Sequence, residues 1–547
     1  MTALAKWLAF LTLLTVLGLG AVLVRPARHQ PPRLVVLLVV DQLRTDYIER
    51  FRDLYQGGLD WLLERGAYFP RAAYRHSATV TSAGHATIST GMPPSRHGIV
   101  ANSWWDSDRG SVYSVGDDRY PAVGGPGESR SPRALQVDTL GDRLKAQHSG
   151  ARVYAVSTKD RSAILMAGKR ADGAFWFEPD CGCLVSSSYY GDALPEWMAE
   201  FNATGPATPY AGRTWNRLLD DTELYERMSR IDGFPAEHDG GETAFPHPRP
   251  TEGYESTLAR TPFSDEITLG AAIAALRSGA LGTDSEPDLL AIGLSATDSI
   301  GHRYGPFSQE AMDNHLRLDR GLASLLDAID DVVGLDRTVF ALSADHGAVP
   351  LVEHLVEIGI AAERFPADAM WEHAWKAADD CGAGPAAETV ADSSGTRLYW
   401  NESALRERGV DPDRSSECVA ESLRGFPGVE AAFTARQLSI EGGGALEALF
   451  ENAFVAGRTA HIQIHLRPHL YAGGETGTGH GSAHAYDRRV PVLFAGAGIE
   501  PGHHEVAAGP GDIAPTLAAV LAVDLPPGPG SRVLGEALRQ ESGGWGW

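Results

Sequence analysis

The sequence predicts an α/β fold with a mostly parallel central sheet and helices on both faces. Three widely separated runs, at residues 34–40 (LVVLLVV), 288–294 (DLLAIGL) and 338–343 (TVFALS), are almost continuous in Val, Ile, Leu and other apolar residues. That pattern belongs to strands covered on both sides, as in parallel sheets. Segments of helical period lie between such runs, and alternating strands and helices define the class. An apolar content of 43% against 22% charged residues, in 547 residues, is enough for a large packed core.

The elements follow in chain order. After the first strand, residues 45–66 (TDYIERFRDLYQGGLDWLLERG) show helical period, and TVTSAGHATISTG follows. Residues 120–133, rich in Gly, Pro and Ser, read as a surface loop. ALQVDTLGDRLKAQ is helical, and ARVYAVSTKDRSAILMAG is a strand running into a loop. Residues 201–265 are polar and weakly periodic and read as an inserted cap. SDEITLGAAIAALRSGA is a helix before the second strand, and QEAMDNHLRLDRGLASLLDAIDDVVG is a long amphipathic helix before the third. Residues 352–470 read as a second, mixed α/β insertion. RRVPVLFAGAG is a late strand and DIAPTLAAVL a late helix. The expected organisation is a leader over 1–30 and one catalytic domain over 31–540, interrupted near 201–265 and 352–470.

Lys6 precedes an uncharged apolar run at residues 7–24, which lies between a signal-peptide core and a membrane anchor in length. Either reading implies export, to the periplasm or the cell exterior. Four cysteines, Cys181, Cys183, Cys381 and Cys418, can pair in three ways, and spacing does not choose among them. Unpaired structural thiols are the simpler expectation. The net charge of −24 excludes a nonspecific nucleic-acid binder, which would carry a basic face. It also means that an anionic substrate must be held by local cations.

The strand ends carry the chemistry. The first run ends in Asp41, Asp298 and His302 lie just beyond the second, and Asp345 and His346 lie beyond the third. Ligands in open α/β sheets bind outside the carboxyl ends of the strands. TGTGHGSAHAYD adds His480 and His484 on a glycine-rich loop. A lone Asp after a strand is more often a helix cap or turn former, and a lone His in such a loop is more often solvated. Together they form a mixed N/O set that suits zinc or a related divalent ion, with enough ligands for two. HSATVTS supplies the hydroxyls of Ser77, Thr79, Thr81 and Ser82. No G-x-S-x-G occurs, so metal activation is the natural route to a nucleophile. Lys159 and Arg161 in STKDRSA could clamp a tetrahedral anion.

In their order, VVDQLRTDY, TSAGHATISTG, HGIVANSWWD, STKDRSAILMAGK, TPFSDEITL, ATDSIGHRYGP, SADHGAVP and GTGHGSAHAYDRRVPVLFAG resemble the alkaline phosphatase superfamily. The nearest resemblance is to phosphate-irrepressible alkaline phosphatases, a monoesterase branch close to the nucleotide pyrophosphatase/phosphodiesterases. It runs from about Leu34 to the late helix near 521. The resemblance implies an alkaline phosphatase-like fold and two Zn²⁺ ions, one held by Asp41, Asp345 and His346, the other by Asp298, His302 and His480. It implies Thr81 as the nucleophile, contacting the metal and passing through a phosphothreonine, and Asn102 as a donor to a phosphate oxygen. Lys159 and Arg161 match the pair of the monoesterase branch. His480 is preferred to His484 as the ligand on motif position, and His85 and His97 are read as structural. The implied substrates are small phosphate monoesters, hydrolysed best at alkaline pH. A phosphodiesterase of the same fold and a membrane-anchored phosphotransferase stay as alternatives. A sulfatase is disfavoured, because no C-x-P-x-R stands at the nucleophile segment.

Overall fold

All seven residues of β1 (Leu34–Val40) are buried, because helices cover both faces of the sheet it centres. Leu34, Val36, Leu38 and Val40 enter one apolar cluster, and Val35, Leu37 and Val39 enter another. This is the two-residue period of a strand with core on each side. The computed structural model describes residues 32–237 and 243–539. The expected leader therefore lies outside the described residues. Among those described, no helix is long and apolar enough to cross a membrane.

The further strands are β2 (Gly66–Phe69), β3 (Val153–Ser157), β4 (Gly173–Glu178), β5 (Cys183–Ser187), β6 (Asp288–Leu294) and β7 (Thr338–Ser343). Within residues 352–470 lie β8 (Val390–Ser394), β9 (Arg397–Trp400), β10 (Val429–Thr434) and β11 (Ile462–Leu466), and β12 (Val492–Gly496) follows. The main sheet runs β2-β12-β7-β1-β6-β3-β4-β5, with a two-residue strand at each edge. Its centre, β7-β1-β6-β3-β4, is parallel. β12 is antiparallel to both its neighbours, and β5 is antiparallel to β4.

The helices that matter below are α1 (Thr45–Arg50), α2 (Gly58–Arg65), α3 (Thr81–Thr90), α4 (Leu140–Gln147), α5 (Asp160–Ala167) and α6 (Phe263–Arg277). They continue with α7 (Ala296–Tyr304), α8 (Gln309–Val332), α9 (Ala367–Asp380), α10 (Pro412–Arg424), α11 (Ala485–Arg488) and α12 (Ile513–Leu521). One sheet face packs on α2, α6 and α8 through residues such as Leu59, Leu62, Ile267, Leu318 and Leu322. The other packs on α3, α4, α5 and α12 through Ile88, Leu144, Ile164, Leu165 and Leu517.

Two local expectations are corrected. The helical period over 45–66 is broken into α1 and α2, with a 3-10 turn at Arg52–Leu54 between them. The break lets α2 approach α8 closely: a Cβ on Gly58 would lie 2.3 Å from Leu322 Cβ. Asp319 of α8 then caps the start of α2, accepting from Leu59 N and Gln56 N at 2.8 Å each. The segment after β3 is a helix rather than a loop. Ala163–Ala167 are buried, and that apolar stretch docks α5 against the sheet. Lys159 thereby becomes the N-cap residue of α5, and Arg161 stands in its first turn.

Described residues within 201–265, among them Tyr210, Trp215, Tyr225 and Leu258, pack into the main core. Trp215 Nε1 and Tyr225 OH both donate to Asp313 of α8, at 2.7 and 2.6 Å. Residues 352–470 instead build a four-stranded sheet, β8-β9-β11-β10, over an apolar cluster of their own that includes Met370, Trp371, Trp400, Val419 and Ile462. A Cys381–Cys418 disulfide ties the end of α9 to α10, and Cys181 pairs with Cys183, so the expectation of unpaired thiols does not hold. Replacing Cys381 and Cys418 with serine is expected to cost this lobe about 2–4 kcal/mol, the usual worth of closing a loop of that size. Calorimetry should show a lowered transition. An unchanged melting profile would mean that the crosslink contributes nothing.

Candidate active site

Parallel neighbours end on the same side of a sheet, so β1, β6 and β7 deliver their following residues to one place. Asp41 follows β1, Asp345 and His346 follow β7, and Asp298 sits in the first turn of α7 just after β6. Gln42, the chain neighbour of Asp41, bonds the other two carboxylates. Gln42 N donates to Asp345 Oδ1 at 3.0 Å, and its Nε2 donates to Asp298 Oδ1 at 2.8 Å. Gln42 has φ +65°, a left-handed conformation that a non-glycine residue adopts at a cost and that marks functional turns. A Cβ on Gly301 would lie 1.8 Å from Gln42 Oε1, so only glycine leaves room for this amide.

Three imidazoles face these carboxylates. His346 Nε2 is 3.4 Å from both Asp41 Oδ1 and Asp345 Oδ2. His302, one helical turn after Asp298, places Nε2 3.2 Å from Asp298 Oδ1, and His480 Nε2 is 3.6 Å from the same oxygen. Each ring is oriented through its other nitrogen. His302 Nδ1 donates to Thr478 O at 2.7 Å, His480 Nδ1 to Thr79 O at 2.8 Å, and His346 Nδ1 to Gly347 O at 2.9 Å. A neutral ring held in this way has its lone pair on Nε2, as in metal-binding histidines.

The charges are strongly coupled. Burial, then Asp298 and Asp345, push Asp41 well above the usual carboxylate range. Burial acts in the same direction on Asp298, but Lys159 and His302 outweigh it and hold Asp298 well below that range. Asp345 is also depressed, as His346 and His85 overcome its burial. Burial, His346 and His302 drive His480 down, whereas Asp298 outweighs burial at His302 and raises it to about 9. Lys159 Nζ bridges Asp41 Oδ2 at 2.5 Å and Asp298 Oδ2 at 2.6 Å.

The residue set fits divalent cations. Asp41, Asp345 and His346 form one group of ligand atoms, and Asp298, His346 and His480 form a second, each within 4.8 Å. His346 belongs to both because its ring stacks on that of His480 at 3.5 Å. Asp41 Oδ1, Asp345 Oδ2 and His346 Nε2 are buried with no hydrogen-bond partner. Burying such atoms unpaired is costly, and a cation among them would satisfy all three.

Thr81 opens α3 and is buried. α3 lies tightly against the carboxylates: a Cβ on Gly84 would meet Asp345 O at 2.3 Å. His85 spans the same gap, with Nδ1 2.9 Å from Thr81 O and 3.3 Å from Asp345 Oδ2. The neighbouring hydroxyls are engaged. Thr79 Oγ1 donates to Ser482 O, and Ser82 Oγ pairs with Ser114 Oγ, at 2.8 Å each. Asn102 Oδ1 accepts from Ser82 N at 2.9 Å, which leaves its Nδ2 to donate elsewhere. Arg161 Nη1 bonds Tyr113 OH at 3.3 Å, and Tyr113 donates in turn to Asp160 Oδ1 at 2.7 Å. His97 serves packing, with its ring nitrogens on Thr87 Oγ1 and Ile99 N.

His484 faces elsewhere. Its Nε2 is 2.8 Å from Leu466 O, and its ring lies 4.4 Å from that of His465. Gln42, Tyr113 and Asp160 are the positioning residues that sequence reasoning passed over. Gln42 had one available signal, its place directly after Asp41. Asp160 had its place between Lys159 and Arg161, whereas Tyr113 had none, since its role depends on a contact across 47 positions.

Comparison with known proteins fits this geometry. A model of the type I phosphodiesterase / nucleotide pyrophosphatase family matches residues 35–421. Alkaline phosphatase PafA of Elizabethkingia meningoseptica is 33% identical over 93% of this chain and 94% of its own. Alkaline phosphatase PhoV of Synechococcus elongatus is 31% identical, covering 93% of each. The crystal structure of wild-type PafA superposes with a TM-score of 0.87 at 32% identity, over 93% of this chain and 99% of that one.

Proposed function

This chain belongs to the type I phosphodiesterase / nucleotide pyrophosphatase family, within the alkaline phosphatase superfamily, and we propose that it is a phosphate monoester hydrolase acting through a phosphothreonine on Thr81. The observation that carries the monoester reading is Lys159 and Arg161 together at the start of α5, with Lys159 Nζ on two of the three carboxylates. A monoester dianion presents three unesterified oxygens, and two cations beside Asn102 Nδ2 suit that number. A diester has one fewer charge to neutralise.

Asp41, Asp345 and His346 are assigned to one divalent ion and Asp298, His302 and His480 to the other, with zinc as the preferred metal. When bound, the ions supply Lewis acidity and positive charge to the entering and leaving oxygens. The buried carboxylates Asp41, Asp298 and Asp345 oppose Lys159 and Arg161, and added cations favour a phosphate dianion beside them. In the proposed step the Thr81 Oγ–P bond forms in line as the ester P–O bond breaks, the Thr81 hydroxyl proton passes to solvent, and the alcohol leaves with a proton from solvent. The N-terminus of α3 and the Ser82–Asn102 bond fix Thr81 while charge shifts between oxygens. Water then cleaves the phosphothreonine and releases inorganic phosphate. The substrates are small phosphate monoesters.

Dialysis against a chelator is expected to remove activity, and two equivalents of zinc per chain are expected to restore it, with metal content followed alongside rate. Full activity in the metal-free protein would overturn the assignment. All four cysteines are disulfide-bonded, which fits an oxidising compartment and the expected export to the periplasm or beyond.

A further inference from the structure

We propose that Glu430, His465 and His484 form a third divalent-cation site, separate from the two groups above and of the zinc class. Their ligand atoms lie within 4.8 Å of one another, and His465 Nε2 is 3.5 Å from Glu430 Oε2. Two imidazoles and one carboxylate with open positions are a donor set for zinc and its neighbours. The proposal does not depend on the phosphatase reading.

The backbone builds this triad deliberately. β10 and β11 are antiparallel, with Ala431 opposite His465, and their register shifts between Val429 and Ala431. Glu430 is the residue in that bulge. Bulges re-aim side chains, and here the carboxylate is brought beside His465. His484 enters from a different element, as the N-cap residue of α11. Its Nε2 donates to Leu466 O at 2.8 Å, which leaves Nδ1 as the lone-pair nitrogen. A ring anchored on a carbonyl through one nitrogen is how the three imidazoles near Asp298 and Asp41 are held, and it is the usual support of a metal-binding histidine.

The surroundings are compatible with a cation. Burial keeps His465 neutral, down to about 4, and also lowers His484. His469 and Arg488 also act on His484, and Arg488 acts on His465; the Arg488 guanidinium is committed to Ala483 O at 2.7 Å and Tyr74 O at 2.9 Å. His465 and His484 also line a cavity of about 390 Å³ together with His302 and His480. An ion here would tie the inserted sheet to the loop that carries His480, and would add positive charge to the wall of that shared cavity.

The test is metal stoichiometry. The full chain and its Glu430→Ala/His465→Ala variant are each equilibrated with excess zinc, dialysed against metal-free buffer, and analysed for metal per chain. The wild type is expected to hold one more equivalent than the variant. Equal stoichiometry would overturn the proposal. Zinc-edge anomalous diffraction from wild-type crystals decides the matter even if the variant fails to fold. A peak between His465 and His484 supports the site, and none there, with peaks beside Asp41 and Asp298, removes it while leaving the catalytic reading intact.

Discussion

Thr81→Ala is expected to lower turnover of a phosphate monoester by at least about a thousand-fold, since removing a nucleophile costs three to six orders of magnitude. No labelled phosphoprotein should survive acid quenching, while metal content stays at the wild-type level. Hydrogen bonding within TVTS favours this hydroxyl. In TVTS, Thr79 is bonded to Ser482 O and Ser82 to Ser114, whereas the Thr81 hydroxyl makes no such bond among the described residues. Thr81→Ser keeps an oxygen at the same place and should recover much of the activity. A phosphoenzyme persisting in Thr81→Ala would move the nucleophile to a neighbour and dissolve the in-line geometry proposed for α3.

The second large effect concerns substrate class. Replacing Lys159 and Arg161 together with alanine should reduce kcat/KM for a nitrophenyl monoester by about a thousand-fold or more, the scale on which single charged groups act on transferring phosphoryl oxygens. The corresponding methyl diester should lose less than about tenfold, because it lacks the second negative charge that the pair neutralises. Lys159 also bridges Asp41 and Asp298, so metal content must be measured in the same preparations. Equal losses on both esters with metals retained would overturn the monoesterase reading. A conservative Arg161→Lys variant should fall between wild type and alanine, since it keeps charge but loses the fork that Tyr113 orients.

Much of this protein is legible in its residues. The unbroken apolar runs at 34–40, 288–294 and 338–343 are β1, β6 and β7, because a strand buried on both faces has no polar side to show. Their parallel pairing follows from the helices between them, and parallel pairing puts Asp41, Asp298, Asp345 and His346 at one end of the sheet. Residues 352–470, which read as an inserted segment, contain a four-stranded sheet and an apolar cluster.

Other features were settled only by contacts between distant segments. The period over 45–66 promised one helix, yet the close approach of Gly58 to Leu322 and the capping by Asp319 divide it. SAILMA after Lys159 became a helix because one sheet face needed covering. His480 and His484 stand four residues apart on one glycine-rich loop, and only motif position favours His480 in the sequence. His480 turns toward Asp298 because Thr79 O holds its Nδ1, while Leu466 O holds His484 beside Glu430 and His465. Periodicity and composition thus determined which elements form and which residues reach the strand ends, since these depend on each segment's own pattern of burial. Which way each side chain points, and with which partners, depended on hydrogen bonds between distant residues, 401 positions apart for His480 and Thr79, and only the folded chain brings such atoms together.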